Sequence, residues 1–192
     1  MHPRAPRPLL GNLASTRPAN FMQPSFVNSI QRGTVAYSSA STGTATIAAV
    51  DPARSRLRYL GMTQATASSD FSVASANAVL TNATAITING LTAGTLTASY
   101  EVSCYNAGYV QKVQRGVITW FAAGIAQATI AAVQTTRAEL SHLGAYTPSS
   151  GAPPTADQWA ANLLLTNATT VSASKVAAVQ SVSVSFEVVQ IP

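Results

Sequence analysis

The nine residues "ANAVLTNAT", Ala76 to Thr84, return as "ANLLLTNAT", Ala161 to Thr169. Their neighbours return with them, in the same order. "QRGTVAYSSASTGTATIAAV" from Gln31 is matched by "QRGVITWFAAGIAQATIAAV" from Gln114. "ARSRLRYLG" ending at Gly61 is matched by "TRAELSHLG" ending at Gly144, and "ASYEV" ending at Val102 by "VSFEV" ending at Val188. Such a pattern reads as an internal duplication, and it constrains the fold more than any other feature: whatever one copy forms, the other must form too. A unit of roughly 75 to 80 residues buries only about 60% of its unfolded surface. Two such units are therefore expected to pack on each other, or on copies in an oligomer.

The local patterning is of strand type. "GTLTASYEVSCY" alternates Leu96, Ala98, Tyr100, Val102 and Cys104 with Thr95, Thr97, Ser99, Glu101 and Ser103, which predicts one buried and one polar face. "QSVSVSFEVVQI" alternates likewise, with Val182, Val184, Phe186 and Val188 inward. "GTVAYSS", "TATIAAV" and "RLRYLGM" read as further short strands, and Asn89-Gly90 as a tight turn after "AVLTNATAITING". Only "TADQWAANLLL" hints at helical periodicity. The expected fold is all-β: two tandem duplicated β-sandwich or barrel-like units. Their bounds are 29–105 and 113–192, with 106–112 as linker and Trp159 pinning the loop of the second unit.

Residues 1–28 are different. Five prolines, Pro3, Pro6, Pro8, Pro18 and Pro24, rule out a helix or a central strand. This is an extended Pro-rich arm. Its arginines Arg4, Arg7 and Arg17 and its apolar Leu9, Leu10, Phe21 and Phe26 are candidates for docking along a neighbouring protein.

Charge excludes several function classes. Only 9% of residues are charged, against about 25% in a typical soluble domain. The formal charge is +5, and three of these charges lie in the arm, which has no acid. Too little is left for a dedicated nucleic-acid channel, so no direct nucleic-acid partner is expected. No apolar run reaches the length of a membrane-spanning helix, and none near the N-terminus resembles a secretory signal. The single cysteine, Cys104, cannot form an intrachain disulfide and sits in an alternating run, as a small core residue would.

Catalytic chemistry is hard to assemble. The two histidines, His2 and His142, lie in the arm and in a strand-like segment. No His, Cys or carboxylate spacing fits a metal site, no Gly-rich loop precedes a helix, and no G-x-S-x-G occurs. The acids are Asp51, Asp70, Glu101, Glu139, Asp157 and Glu187, and a repeated pair such as Glu101 and Glu187 fits a scaffold better than a reaction. No catalytic residue, cofactor or metal is expected. Each unit has an arginine on its first strand, Arg32 or Arg115, and a glutamate on its last, Glu101 or Glu187. Were those strands neighbours, each pair would latch its unit shut; otherwise they are unrelated surface charges. Tyr37, Tyr59, Trp120, Phe121, Tyr146 and Trp159 are candidates either for core and loop anchors or for stacking on a sugar.

The frame "IQRG…ATIAAVD…L..LG…LTNAT…SYEV" resembles small β-rich virion structural proteins of tailed bacteriophages. The resemblance falls on Ile30 to Gly33, Val50-Asp51, Leu60-Gly61, Leu80 to Thr84 and Ser99 to Val102. In the second copy it falls on Val113 to Gly116, Leu143-Gly144, Leu165 to Thr169 and Ser185 to Val189. Gln134 replaces Asp51 there, so no role of that Asp is shared. The resemblance implies a non-enzymatic particle component located in the virion. The expected function is capsid decoration: a cement protein on the capsid exterior, bridging subunits of the major capsid protein and associating with copies of itself as a symmetric oligomer such as a trimer. The alternative is a tail or fibre component, including a glycan-binding receptor module. A third reading, from another class, is a bacterial or phage glycosidase accessory domain or a degenerate enzyme.

Overall fold

The computed structural model describes residues 26–38, 42–65, 75–90, 95–147, 161–176 and 181–192. These residues are all-β. The first half supplies β1 (Val27–Ser38), β2 (Thr42–Thr46), β3 (Ser55–Gln64), β4 (Ala76–Asn82), β5 (Ala85–Asn89) and β6 (Thr95–Tyr105). The second half supplies β7 (Lys112–Trp120), β8 (Gly124–Thr129), β9 (Ala138–Tyr146), β10 (Asn162–Asn167), β11 (Thr170–Lys175) and β12 (Val182–Gln190). A 3-10 turn precedes the third strand of each half, at Pro52–Arg54 and Thr135–Arg137. β1 starts at Val27, inside the segment expected to be arm; residues 1–25, with Arg4, Arg7, Leu9, Leu10, Arg17 and Phe21, lie outside the described residues, as does Trp159.

The strands form three antiparallel sheets, ordered β1-β6-β3, β10-β11-β8 and β2-β5-β4-β9-β12-β7. Within each half the first, sixth and third strands are neighbours, and so are the second, fifth and fourth. The third sheet runs through both halves. Its crossing point is short, with Ala76 opposite Ala145 and Asn77 opposite Gly144.

The recurring motifs account for this layout. In "QRG" each residue has a separate task. The Gln31 side chain bonds both the N–H and the C=O of Ala48, at 2.7 and 2.9 Å. Gln114 does the same at Ala131, at 2.6 and 2.8 Å. Each glutamine thus ties its half's first strand to the "ATIAAV" segment. That segment in turn donates to the "NAT" turn, from Ile47 and Val50 to Thr84 and Ala83 and from Ile130 and Val133 to Thr169 and Ala168. The glycine admits an aromatic ring from the sixth strand. A Cβ on Gly33 would lie 2.6 Å from the Tyr100 hydroxyl, and one on Gly116 would lie 2.6 Å from Phe186 Cζ. The arginine faces the glutamate of "YEV" or "FEV", since Arg32 is in register with Glu101 and Arg115 with Glu187.

One hairpin went unforeseen, and one local expectation needs correcting. The β4–β5 hairpin turns at Ala83-Thr84; the Asn89-Gly90 signal falls where β5 ends, next to residues 91–94, which lie outside the described residues. Asn82 Oδ1 accepts from the Thr84 N–H at 2.8 Å and from its hydroxyl at 3.1 Å. Asn167 repeats this with Thr169 between β10 and β11. An asparagine that closes the turn with its own side chain needs no following glycine. Gly90 also allows close approach, because a Cβ there would meet the Ser75 carbonyl at 2.3 Å. The helical hint over "TADQWAANLLL" fails where it can be seen, since Asn162 to Leu165 lie in β10.

In β6 Leu96, Ala98, Tyr100, Val102 and Cys104 are all buried, as the alternation expects, but Glu101 and Ser103 on the opposite face are buried as well. In β12 both faces are buried. Val182, Val184, Phe186 and Val188 enter the second half's cores. Ser183, Ser185 and Glu187 are covered as well, because the first half lies across that face. Leu143, on β9, belongs to the core of the first half.

Candidate functional site

The densest polar chemistry lies where the two halves meet. Arg115 on β7 points its Nε at Glu187 Oε2 on β12, 2.7 Å away. Its Nη1 donates to the Pro52 carbonyl at 2.9 Å and its Nη2 to that of Ser55. The Leu57 N–H on β3 donates to Glu187 Oε2 at 3.1 Å. Arg56 reaches across to Glu139 Oε2 at 2.6 Å and to the Ser141 hydroxyl at 3.3 Å. Its Nε stands 3.9 Å from Glu187 Oε1, and neither atom has a hydrogen-bond partner. Glu187 is wholly buried. Burial pushes its carboxyl above the ordinary value, against the opposing pull of Arg115, the Leu57 N–H and Arg56. An acid with a raised value in such surroundings often marks catalysis; here every group around it joins one half to the other.

In the corresponding pair of the first half Glu101 is buried, but its arginines face solvent. Arg32 Nη2 stands 2.6 Å from Glu101 Oε2, and Arg58 Nη1 lies 3.5 Å from Oε1. The two arginine side chains are 63% and 64% exposed. Both arginine–glutamate pairs singled out in the sequence are thus in contact, one on the surface and one under the other half. Arg56 and Glu139 were not singled out. The available signal was their shared position in the repeat with opposite charge, "SRLR" against "AELS".

Apolar packing and backbone geometry complete the junction. Gly144 has φ +93°, and a Cβ on it would lie 2.3 Å from the Ala76 carbonyl. His142 Nδ1 accepts from the Gly144 N–H at 3.0 Å. A cleft of about 220 Å³ runs beside the crossing, lined among others by Val79, Arg115, Val117, Leu143 and Ser185.

The remaining candidates do not converge. Tyr37 and Tyr59 pack against the first core, and burial pushes both hydroxyls up to about 12. Tyr37 donates to the Gly90 carbonyl. Trp120 packs on the second half's cores with Lys175 over its ring, and Phe121 is exposed. Phe26 stacks edge-on against Tyr109 of its own chain, with ring centres 4.4 Å apart. Cys104 is buried and unpaired as a thiol. Asp51 caps the 3-10 turn by accepting from the Ala53 N–H, and the Arg54 guanidinium holds its carboxyl below the usual value; Gln134 makes no such cap. Among the described residues no group of three or more His, Cys, Asp or Glu could hold a metal ion, and no helix is long and apolar enough to cross a membrane. Comparison with family models, with curated proteins and with solved structures returns no match to this chain.

Proposed function

We propose that the chain is two copies of one β unit and serves as a non-enzymatic structural protein of a tailed-phage virion, on the capsid exterior. There it would act as a decoration protein that bridges neighbouring subunits of the shell. One observation carries this reading: the polar residues that recur in both halves are spent on the scaffold. Gln31 and Gln114 tie strands, Arg32 and Arg115 hold glutamates, and Asn82 and Asn167 close turns. A duplication that preserves these contacts preserves a shape, which is what an adhesive subunit requires.

The low charge and the resemblance of the repeated frame to virion proteins supply the particle context. The proline-rich arm would lie along a neighbouring capsid protein, adding contact area, and many copies on one lattice add avidity. The arm's arginines would meet acidic capsid surface.

The test is whether the protein stays with DNA-filled heads after tails are removed. Retention on heads is expected; loss with the tails would overturn decoration in favour of the tail or fibre reading. Deleting residues 1–24 should leave the β units folded and weaken attachment to the particle. Unchanged attachment would remove the arm from the account.

A further inference from the structure

The junction between the halves has two unlike sides. The first half contributes a strand end, Ala76-Asn77, together with the carbonyls of Pro52 and Ser55 and the Leu57 N–H. The second half receives them with Gly144-Ala145, the Arg115–Glu187 pair and Leu143, which sits in the first half's core. If the halves are copies of one unit, each carries both sides. The second half then has a strand end of its own at Ala161-Asn162. The first half has a receiving face of its own at Gly61-Met62, with Arg32–Glu101 and Leu60.

These counterparts are open. Leu143 is 1% exposed, whereas Leu60 is 50% exposed. Asn77 is buried and Asn162 is exposed. Leu57, Ala78 and Leu80 are closed over, while Leu140, Leu163 and Leu165 at the same places are only partly covered. Gly61 keeps a positive φ, +114°, as Gly144 does, yet among the described residues no atom lies within 4 Å of where its Cβ would be. At Gly144 the missing Cβ makes room for the incoming strand. β3 and β10 both end their sheets, and an unpaired edge is a template for pairing with another chain.

We propose that a second copy of this chain docks there, head to tail. Ala161-Asn162 of one copy extends β3 of the next at Gly61-Met62, as Ala76-Asn77 extends β9 within the chain. Leu60 enters the gap beside Leu140, Leu163 and Leu165. Charge agrees with this register: Glu139, which pairs with Arg56 of its own chain yet stays 54% exposed, takes the place of Arg56, and Arg58, 64% exposed, that of Ser141, so the Arg56-to-Ser141 contact becomes a glutamate facing an exposed arginine. The contact is heterologous, and each chain has one of each side, so copies build a ring or a filament. The proposal uses the repeat equivalence and is independent of the virion reading.

Sedimentation of the full chain over a wide concentration range tests it. Species at multiples of 19.8 kDa are expected. Leu60→Asp removes the receiving side and Asn162→Lys the strand end. Each variant alone should be monomeric, with unfolding temperature and circular dichroism unchanged. Their equimolar mixture should give a one-to-one dimer and nothing larger, because it holds one intact junction. A monomeric wild type, a variant that still assembles alone, or a mixture that stays monomeric would each overturn the proposal. Should Leu60→Asp fail to fold, Leu60→Ser gives the same readout.

Discussion

Removing Arg115 should damage the protein far more than removing Arg32, although both hold the same glutamate position. In Arg115→Met, Glu187 stays buried, with Arg56 Nε at 3.9 Å as its nearest remaining cation. The carbonyls of Pro52 and Ser55 lose their donor as well. Breaking one side of a buried pair costs about 3–5 kcal/mol. At roughly 2–4 °C per kcal/mol for a chain of this size, Tm should fall by roughly 6–20 °C. In Arg32→Met, Glu101 keeps Arg58 at 3.5 Å, and the deleted side chain was 63% exposed. That loss is about 1 kcal/mol or less, under roughly 4 °C in Tm. Differential scanning calorimetry at neutral pH, in the Leu60→Asp background, keeps a second copy away from Glu101. Acid provides an independent check. Because the native carboxyl of Glu187 sits above its ordinary 4.5, the native state takes up the proton before the unfolded chain does. Stability from this group therefore grows as pH falls from its native value towards 4.5. Without Arg115 that carboxyl sits higher still, so the Arg115→Met deficit should narrow as pH falls from the variant's native value towards the wild type's, and stay flat below it. Equal losses in the two variants, or an Arg115→Met deficit that ignores pH, would refute the reasoning.

Three further outcomes follow from individual contacts. Gly144→Ala and Gly61→Ala both force a side chain into the left-handed region, at about 1–2 kcal/mol each, but only Gly144→Ala also collides with the Ala76 carbonyl, so thermal unfolding of the monomeric form should show the larger loss there. Gly116→Ala should lose about 1–3 kcal/mol by crowding the Phe186 ring, and Phe186→Leu in the same chain should recover part of it in denaturant melts. Asn82→Ala and Asn167→Ala each remove a side-chain hydrogen bond that closes a turn, about 0.5–1.5 kcal/mol, and should speed amide exchange at Thr84 and Thr169 respectively.

Strand content was legible because β6 and β12 alternate cleanly in sequence, although only the first part of β6 keeps that alternation in its burial and β12 is buried on both faces. The partners of Arg32 and Arg115 were legible because first and last strands of compact sandwiches tend to be neighbours. The β4–β5 turn was not: Asn-Ala-Thr is a weaker general signal than Asn-Gly, and only the side-chain bonds of Asn82 show that it closes the hairpin. The seam between halves was hidden for a different reason. Its strand pairing is only two residues long, and its apolar member, Leu143, has a leucine counterpart in Leu60. Leu60 and Leu143 share the local sequence "LG"; Leu143 is buried because it enters the core of the first half, whereas Leu60 is half exposed.

The account turns on one junction used twice, once within the chain and once between chains. Hydrogen exchange of the segments 60–63 and 143–146 compares the two uses directly. The segment at Leu143 should be protected at every concentration. The segment at Leu60 should gain comparable protection in concentrated wild type and lose it in Asn162→Lys. A Leu60 segment that exchanges freely however concentrated the protein would contradict the account.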